Sequence, residues 1–185
     1  MFAEAAYCQA LGMDSGAAGT GRAGKRLLIV FHSRSGGTEH LVQNAIRGAL
    51  LGLDFDPTDG HEVHGDRICV KRAFDADEND VLGASGILVA TPANFGYMSG
   101  ALKDFFERVY NPCLDKTARM PYALIVKGST DVEGAASSVR RIVKGMDWRE
   151  VLPALLVVGD ATAQQAAEAE ELGATFAAGV DAGIY

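Results

Sequence analysis

A chain of 185 residues with 48% hydrophobic content has the size of one ordinary domain and enough apolar side chains to bury a core. Its 24 acidic against 17 basic residues, a formal net charge of −7, argue against a nucleic-acid binder, which needs clustered Lys and Arg, and favour small molecules or proteins as partners. No apolar run approaches the roughly 20 residues of a membrane span, the first residues carry Glu4 and Asp14 instead of a secretory pattern, and three widely spaced cysteines (Cys8, Cys69, Cys113) fit neither a disulfide framework nor a zinc site, so a soluble, cytoplasmic protein is expected.

Residues 1–24 read as a flexible N-terminal tail, rich in Gly, Ala and Ser from residue 12 onward. Within it Gly19, Gly21 and Gly24 spell G-x-G-x-x-G, and Gly19 to Lys25 nearly spells a P-loop. Context rejects both, because the stretch precedes the first strand instead of joining a strand to a helix, and Arg26 stands where a metal-reaching Ser or Thr belongs.

From Leu27 the pattern becomes regular. Leu27–Phe31 is a continuous apolar run, as a strand buried on both faces of a parallel sheet requires. Leu41, Val42, Ala45, Ile46, Ala49 and Leu50 recur at helical spacing, so Thr38–Leu51 reads as a helix capped by Thr38 and ended by Gly52. An acidic loop over 52–66 leads to a weak strand at Arg67–Arg72, whose alternation suits a sheet edge, and to a short helix at Asp77–Ala84. Gly86–Ala90 is the next buried strand. After a polar loop, Ala101, Leu102, Phe105, Phe106, Val109 and Tyr110 mark an amphipathic helix. The alternation repeats with strand Tyr122–Val126 and helix Gly134–Met146, then strand Ala154–Val158 and a helix from Ala161 to about Ala178. Strands alternating with helices predict a doubly wound parallel sheet of order 2-1-3-4-5 between helical layers, a three-layer α/β/α sandwich. Ligands of such sheets bind at the carboxyl ends of the strands, where strand order reverses, which selects the loops after the first, third and fourth strands.

Ser33, Arg34, Ser35, Gly36, Gly37 and Thr38 join a buried strand to a helix. Two glycines let backbone amides approach an anion, three hydroxyls add donors, and the helix dipole favours negative charge, so the loop is an anion cradle; the alternative is a short turn with an ordinary Thr cap. Pro92, Ala93, Asn94, Phe95, Gly96 and Tyr97 lie in a loop whose two aromatics suit a flat ring, against the duller reading that they cover the sheet edge.

Together with T-P-x-x-F-G-x-M-S-G and the helix start Ala101-Leu102-Lys103-Asp104-Phe105-Phe106, these loops resemble the flavodoxin-like family, in particular its quinone-reductase-like and NAD(P)H-dependent FMN reductase branch, over residues 26–160. The resemblance implies that residues 25–185 form a flavodoxin-like FMN-binding domain. Ser33 to Thr38 would hold the FMN phosphate, Pro92 to Tyr97 would lie along the ring and ribityl chain, and Gly128, Ser129, Thr130 and Asp131 would close the other side. Gly37 stands where many relatives carry Asn or another side chain. The third loop, Lys127 to Gly134, is shorter than that branch's Gly-rich stretch, and neither the insertion that splits strand five in long-chain flavodoxins nor the helical insertion of some tetramers has room here.

His61 and His64 in the acidic loop lack a third ligand, Asp54, Asp56 and Asp59 fail calcium-loop spacing because Gly65 replaces the closing Glu, Cys113 has no flanking base, and Trp148 reads as packing. No metal is expected, and no residue stands out as acid, base or nucleophile. The resemblance implies an oxidoreductase that passes electrons from NAD(P)H through FMN to a quinone or similar acceptor. The alternatives are a flavodoxin-type electron carrier, with a redox protein as partner, and a flavin-free domain on the same fold. A homo-oligomer is left open.

Overall fold

The computed structural model describes residues 25–53 and 67–185. The central strands are β1 (Leu27–Phe31), β3 (Gly86–Asn94) and β5 (Pro121–Gly128), and all pair in parallel. Leu27–Phe31 lies in register with Gly86–Ala90 on one side and with the edge strand β2 (Ile68–Arg72) on the other. Helix α1 (Gly37–Gly52) connects towards β2, the short α2 (Glu78–Leu82) precedes β3, α3 (Gly100–Cys113) precedes β5, and α4 (Glu133–Gly145) follows it. Strands β6 (Arg149–Glu150) and β7 (Leu155–Val158) both pair along β5, and α5 (Ala163–Ala182) ends the chain.

The order β2-β1-β3-β5 followed by β6 and β7 is the expected 2-1-3-4-5 sheet, with its fifth strand in two pieces. The interruption spans residues 151–154 and contains Pro153, which has no amide to donate to the ladder. Sequence periodicity located only β7; β6 is two residues long and both are charged. Side chains hold it: Arg140 on α4 donates from Nε and Nη2 to the Glu150 carboxylate, both at 2.7 Å, and the Tyr122 hydroxyl donates to the same group at 3.1 Å. The Arg140 bond holds the Glu150 carboxyl below its usual range, while burial and the Glu150 charge push the Tyr122 phenol up, so it remains a donor.

Strand alternation divides the core. Leu28, Val30, Ile87, Val89, Leu124 and Val126 face α3 and α4, where Phe105, Phe106 and Trp148 pack. Leu27, Ile29, Phe31, Leu88, Ala90 and Ile125 face α1 and α5, with Leu41, Ile46 and Phe176. Trp148 is a packing residue whose indole donates to Thr117 Oγ1 at 2.9 Å. α1 and α5 meet through small residues. A Cβ on Gly48 would lie 1.8 Å from the Glu170 carbonyl oxygen, and one on Gly173 would lie 1.9 Å from that of Ala45. The backbones touch here, which is why α5, read as Ala- and Glu-rich, shows little amphipathic pattern.

Gly48→Ala separates packing from propensity. Alanine adds about 1 kcal/mol of helix preference over glycine, but the clash with backbone costs about 1 to 3 kcal/mol of overpacking. The expected outcome in urea denaturation is net destabilisation; a variant as stable as the parent, or more stable, contradicts this contact.

Candidate functional site

β1 carries the chain to the carboxyl edge of the sheet, where the His32 amide still donates to the Ala90 carbonyl at 3.0 Å. The chain then turns through Gly36, whose φ of 85° is left-handed and suits glycine, and α1 starts at Gly37. The expected Thr38 cap is corrected. Gly36 occupies the cap position, no side chain caps the helix, and Thr38 is buried within the first turn. The first amides of α1 are therefore left as donors at the positive end of the helix dipole. Ser33 Oγ is buried with no hydrogen-bond partner among the described residues, while Arg34 and Ser35 are exposed.

Two neighbours shape this loop. Arg72, at the end of β2, pairs with Glu39 at 3.1 Å and lies over the Phe31 ring at 5.4 Å. His32 meets Phe74 edge-on at 6.1 Å; burial first, then the charges of Arg72 and Arg34, lower its pKa, so the imidazole is neutral at pH 7. From β5, the Lys127 side chain lies across Gly37. A Cβ there would fall 2.6 Å from Lys127 Cε and 2.9 Å from its Nζ.

The second loop is better ordered than its sequence suggested. β3 does not end at Ala90 but continues through Pro92, Ala93 and Asn94, because Pro92 lies in register with Lys127 and the strand then folds back on the two-residue β4 (Tyr97–Met98). Phe95 (φ 53°) and Gly96 (φ 68°) make the turn, both left-handed, as a type I′ hairpin demands. Buried hydroxyls brace it: Thr91 Oγ1 accepts from the Ser99 amide at 3.0 Å, Ser99 Oγ caps α3 by accepting from the Leu102 amide at 3.2 Å, and Ser138 Oγ accepts from the Met98 amide at 3.1 Å. Thr91, Ser99 and Ser138 thus serve the scaffold. Phe95 is fully exposed and Tyr97 is 41% exposed, so both rings stand free of the core.

The third loop packs against this hairpin. A Cβ on Gly128 would lie 2.9 Å from Ala93 Cβ, and one on Gly134 would lie 2.2 Å from the Gly96 carbonyl oxygen. Ser129 and Thr130 are exposed, and Asp131, one residue before the Val132 cap position, accepts from the Glu133 amide at 3.0 Å at the start of α4. All three candidate loops therefore meet at one end of the sheet. The first offers anion donors, the second an aromatic ledge, and the third a polar margin without an aromatic.

Elsewhere, burial pushes the Cys69 and Cys113 thiols up, so neither is a ready nucleophile. Among the described residues no group of His, Cys, Asp and Glu could hold a metal, and no helix is long and apolar enough to cross a membrane. The N-terminal tail with Cys8 and its glycine spelling, and the readings of His61, His64, Asp54, Asp56 and Asp59, lie outside the described residues.

No family model matches the chain. A flavodoxin of Aquifex aeolicus (strain VF5) is 27% identical over 84 residues, covering 45% of this chain and 40% of that protein. Among solved structures, a flavodoxin from the domain Archaea superposes with a TM-score of 0.69 at 17% identity, over 84% of this chain and 98% of the other. A WrbA-like flavodoxin protein from Agrobacterium tumefaciens gives 0.66 at 15% identity, over 84% and 97%. The chain has the flavodoxin-like fold.

The exposed left-handed Phe95 is strained without packing in return, and Asn-Gly is the favoured type I′ pair. Phe95→Asn is expected to raise stability by about 1 kcal/mol in urea denaturation. Unchanged or lower stability contradicts the strained turn.

Proposed function

We propose that the chain is a flavoprotein that binds FMN without a covalent bond and moves electrons through it. The observation that supports this most is the pairing, at one end of the sheet, of an uncapped helix start and orphaned Ser33 hydroxyl with a braced hairpin that exposes two aromatics. The donors suit a phosphate and the ledge suits a flat ring. FMN, when bound, supplies the redox chemistry, accepting a hydride and releasing electrons. The residues of this chain bind and orient. Ser33, Arg34, Ser35, Gly36, Gly37 and Thr38 take the phosphate, Pro92 to Tyr97 take the ribityl chain and ring, and Gly128 to Asp131 border it.

The finer reading is a reductase that takes a hydride from NADH or NADPH and serves a quinone or similar acceptor. It is supported by the aromatics sharing one hairpin while the adjoining third loop has none, which leaves one ring face open to a nicotinamide. A second reading, an electron carrier with a redox protein as partner, is favoured by the likeness to the Aquifex aeolicus flavodoxin.

Because Ser33 Oγ is buried with no hydrogen-bond partner among the described residues, Ser33→Ala is expected to leave stability unchanged or slightly raised while weakening FMN by about 1.5 to 3 kcal/mol, the range for a hydrogen bond to a charged group. Riboflavin, which lacks the phosphate, is indifferent to the change. Superimposable FMN titrations for parent and variant contradict the phosphate assignment. Loss of visible flavin absorbance on anaerobic addition of NADH or NADPH supports the reductase; bleaching by dithionite alone supports the carrier.

A further inference from the structure

Lys127 is out of place as a core-strand residue. It stands on β5, whose residues Tyr122 to Val126 are all buried, and two-residue alternation puts it on the same face as Ala123 and Ile125, the face covered by α1. It is half-buried, and among the described residues its ammonium forms no hydrogen bond or ion pair. Its side chain ends at Gly37, with Nζ 2.9 Å from where a Cβ would be. A cation beside the positive end of a helix dipole is unfavourable, and the arrangement becomes favourable only when an anion lies between them. The other cation that faces this turn from a strand, Arg72, is already paired with Glu39. The backbone at Gly37 is not left-handed, so nothing in its conformation calls for glycine; what a side chain there would meet is Lys127.

We propose that Lys127 is the charge partner of the ligand's phosphate, and that position 37 is glycine so that Lys127 can reach it. The proposal rests on the FMN reading and sharpens it: specificity for a phosphorylated flavin over riboflavin comes from a lysine two strands away as well as from the loop itself.

FMN and riboflavin are titrated into the full chain, K127M, G37A and the double variant by quenching of flavin fluorescence, at low and high KCl, with folding checked by thermal melting. K127M keeps the length of the stem and removes the charge. It is expected to weaken FMN about tenfold or more at low salt, to flatten the KCl dependence and to leave riboflavin unchanged. In G37A the methyl displaces a flexible lysine end instead of backbone, so this variant folds whether or not K127M does, and it shows a similar FMN-selective loss. The double variant is expected to lose no more than K127M, because both changes remove one contact. A parental ratio of FMN to riboflavin affinity in K127M, or additive losses in the double variant, overturns the proposal. If the parent chain binds no FMN, the flavin reading fails, and inorganic phosphate judges Lys127 separately. Phosphate that raises the melting temperature of the parent, but not of K127M, above sodium chloride of equal ionic strength sustains an anion site at Lys127; equal shifts overturn it.

Discussion

The parallel pairing of β1, β3 and β5 is the constraint on which the other features depend. Each of these strands is buried on both faces, so each must be apolar on both, and each must leave the sheet at the same end. Residue-for-residue register between β1 and β3, and between β3 and β5, then fixes where the exits stand relative to one another. Three loops far apart in the chain are held side by side by backbone hydrogen bonds made in the core. The loops need no affinity for each other to form a site.

At that end the protein divides its polar groups between two tasks. Thr91, Ser99, Ser138 and Asp131 are spent on scaffold hydrogen bonds that brace the hairpin and start α3 and α4. Among the described residues Ser33 Oγ and the Lys127 ammonium have no such partner and α1 has no side-chain cap, and all three lie around one turn. Buried polar groups left unpaired cost stability, as does the left-handed Phe95. The two costs sit together at the carboxyl end of the sheet, and under the proposed function a bound phosphate and ring would offset the first without relieving the second.

The apolar strands were legible because burial on both faces leaves a continuous run that no helix of that length would need. The loops were legible from their glycines and hydroxyls. Other features follow from contacts that lie outside any local window. The extension of β3 past Ala90 arises from pairing with β5 and β4, against the poor strand propensity of Pro92 and Asn94. Strand β6 pairs with β5 through its backbone while Arg140 and Tyr122 hold Glu150, contacts that no local pattern shows. The cap at Gly36 is a matter of φ, and a threonine two residues later is the more obvious spelling. Lys127 was missed because its place beside Gly37 depends on topology, yet a signal existed: a lysine ending an apolar strand run, on the alternation that faces α1.

The central claim, that one phosphorylated flavin bridges these three loops, is tested most directly by amide chemical shifts in a two-dimensional nitrogen–proton spectrum recorded during addition of FMN. Large shifts are expected to be confined to residues 33–39 with Lys127, 93–97 and 128–131, with riboflavin reproducing those of 93–97 and 128–131 and not those of 33–39 and Lys127. Shifts centred elsewhere on the sheet, or identical patterns for FMN and riboflavin, would contradict it.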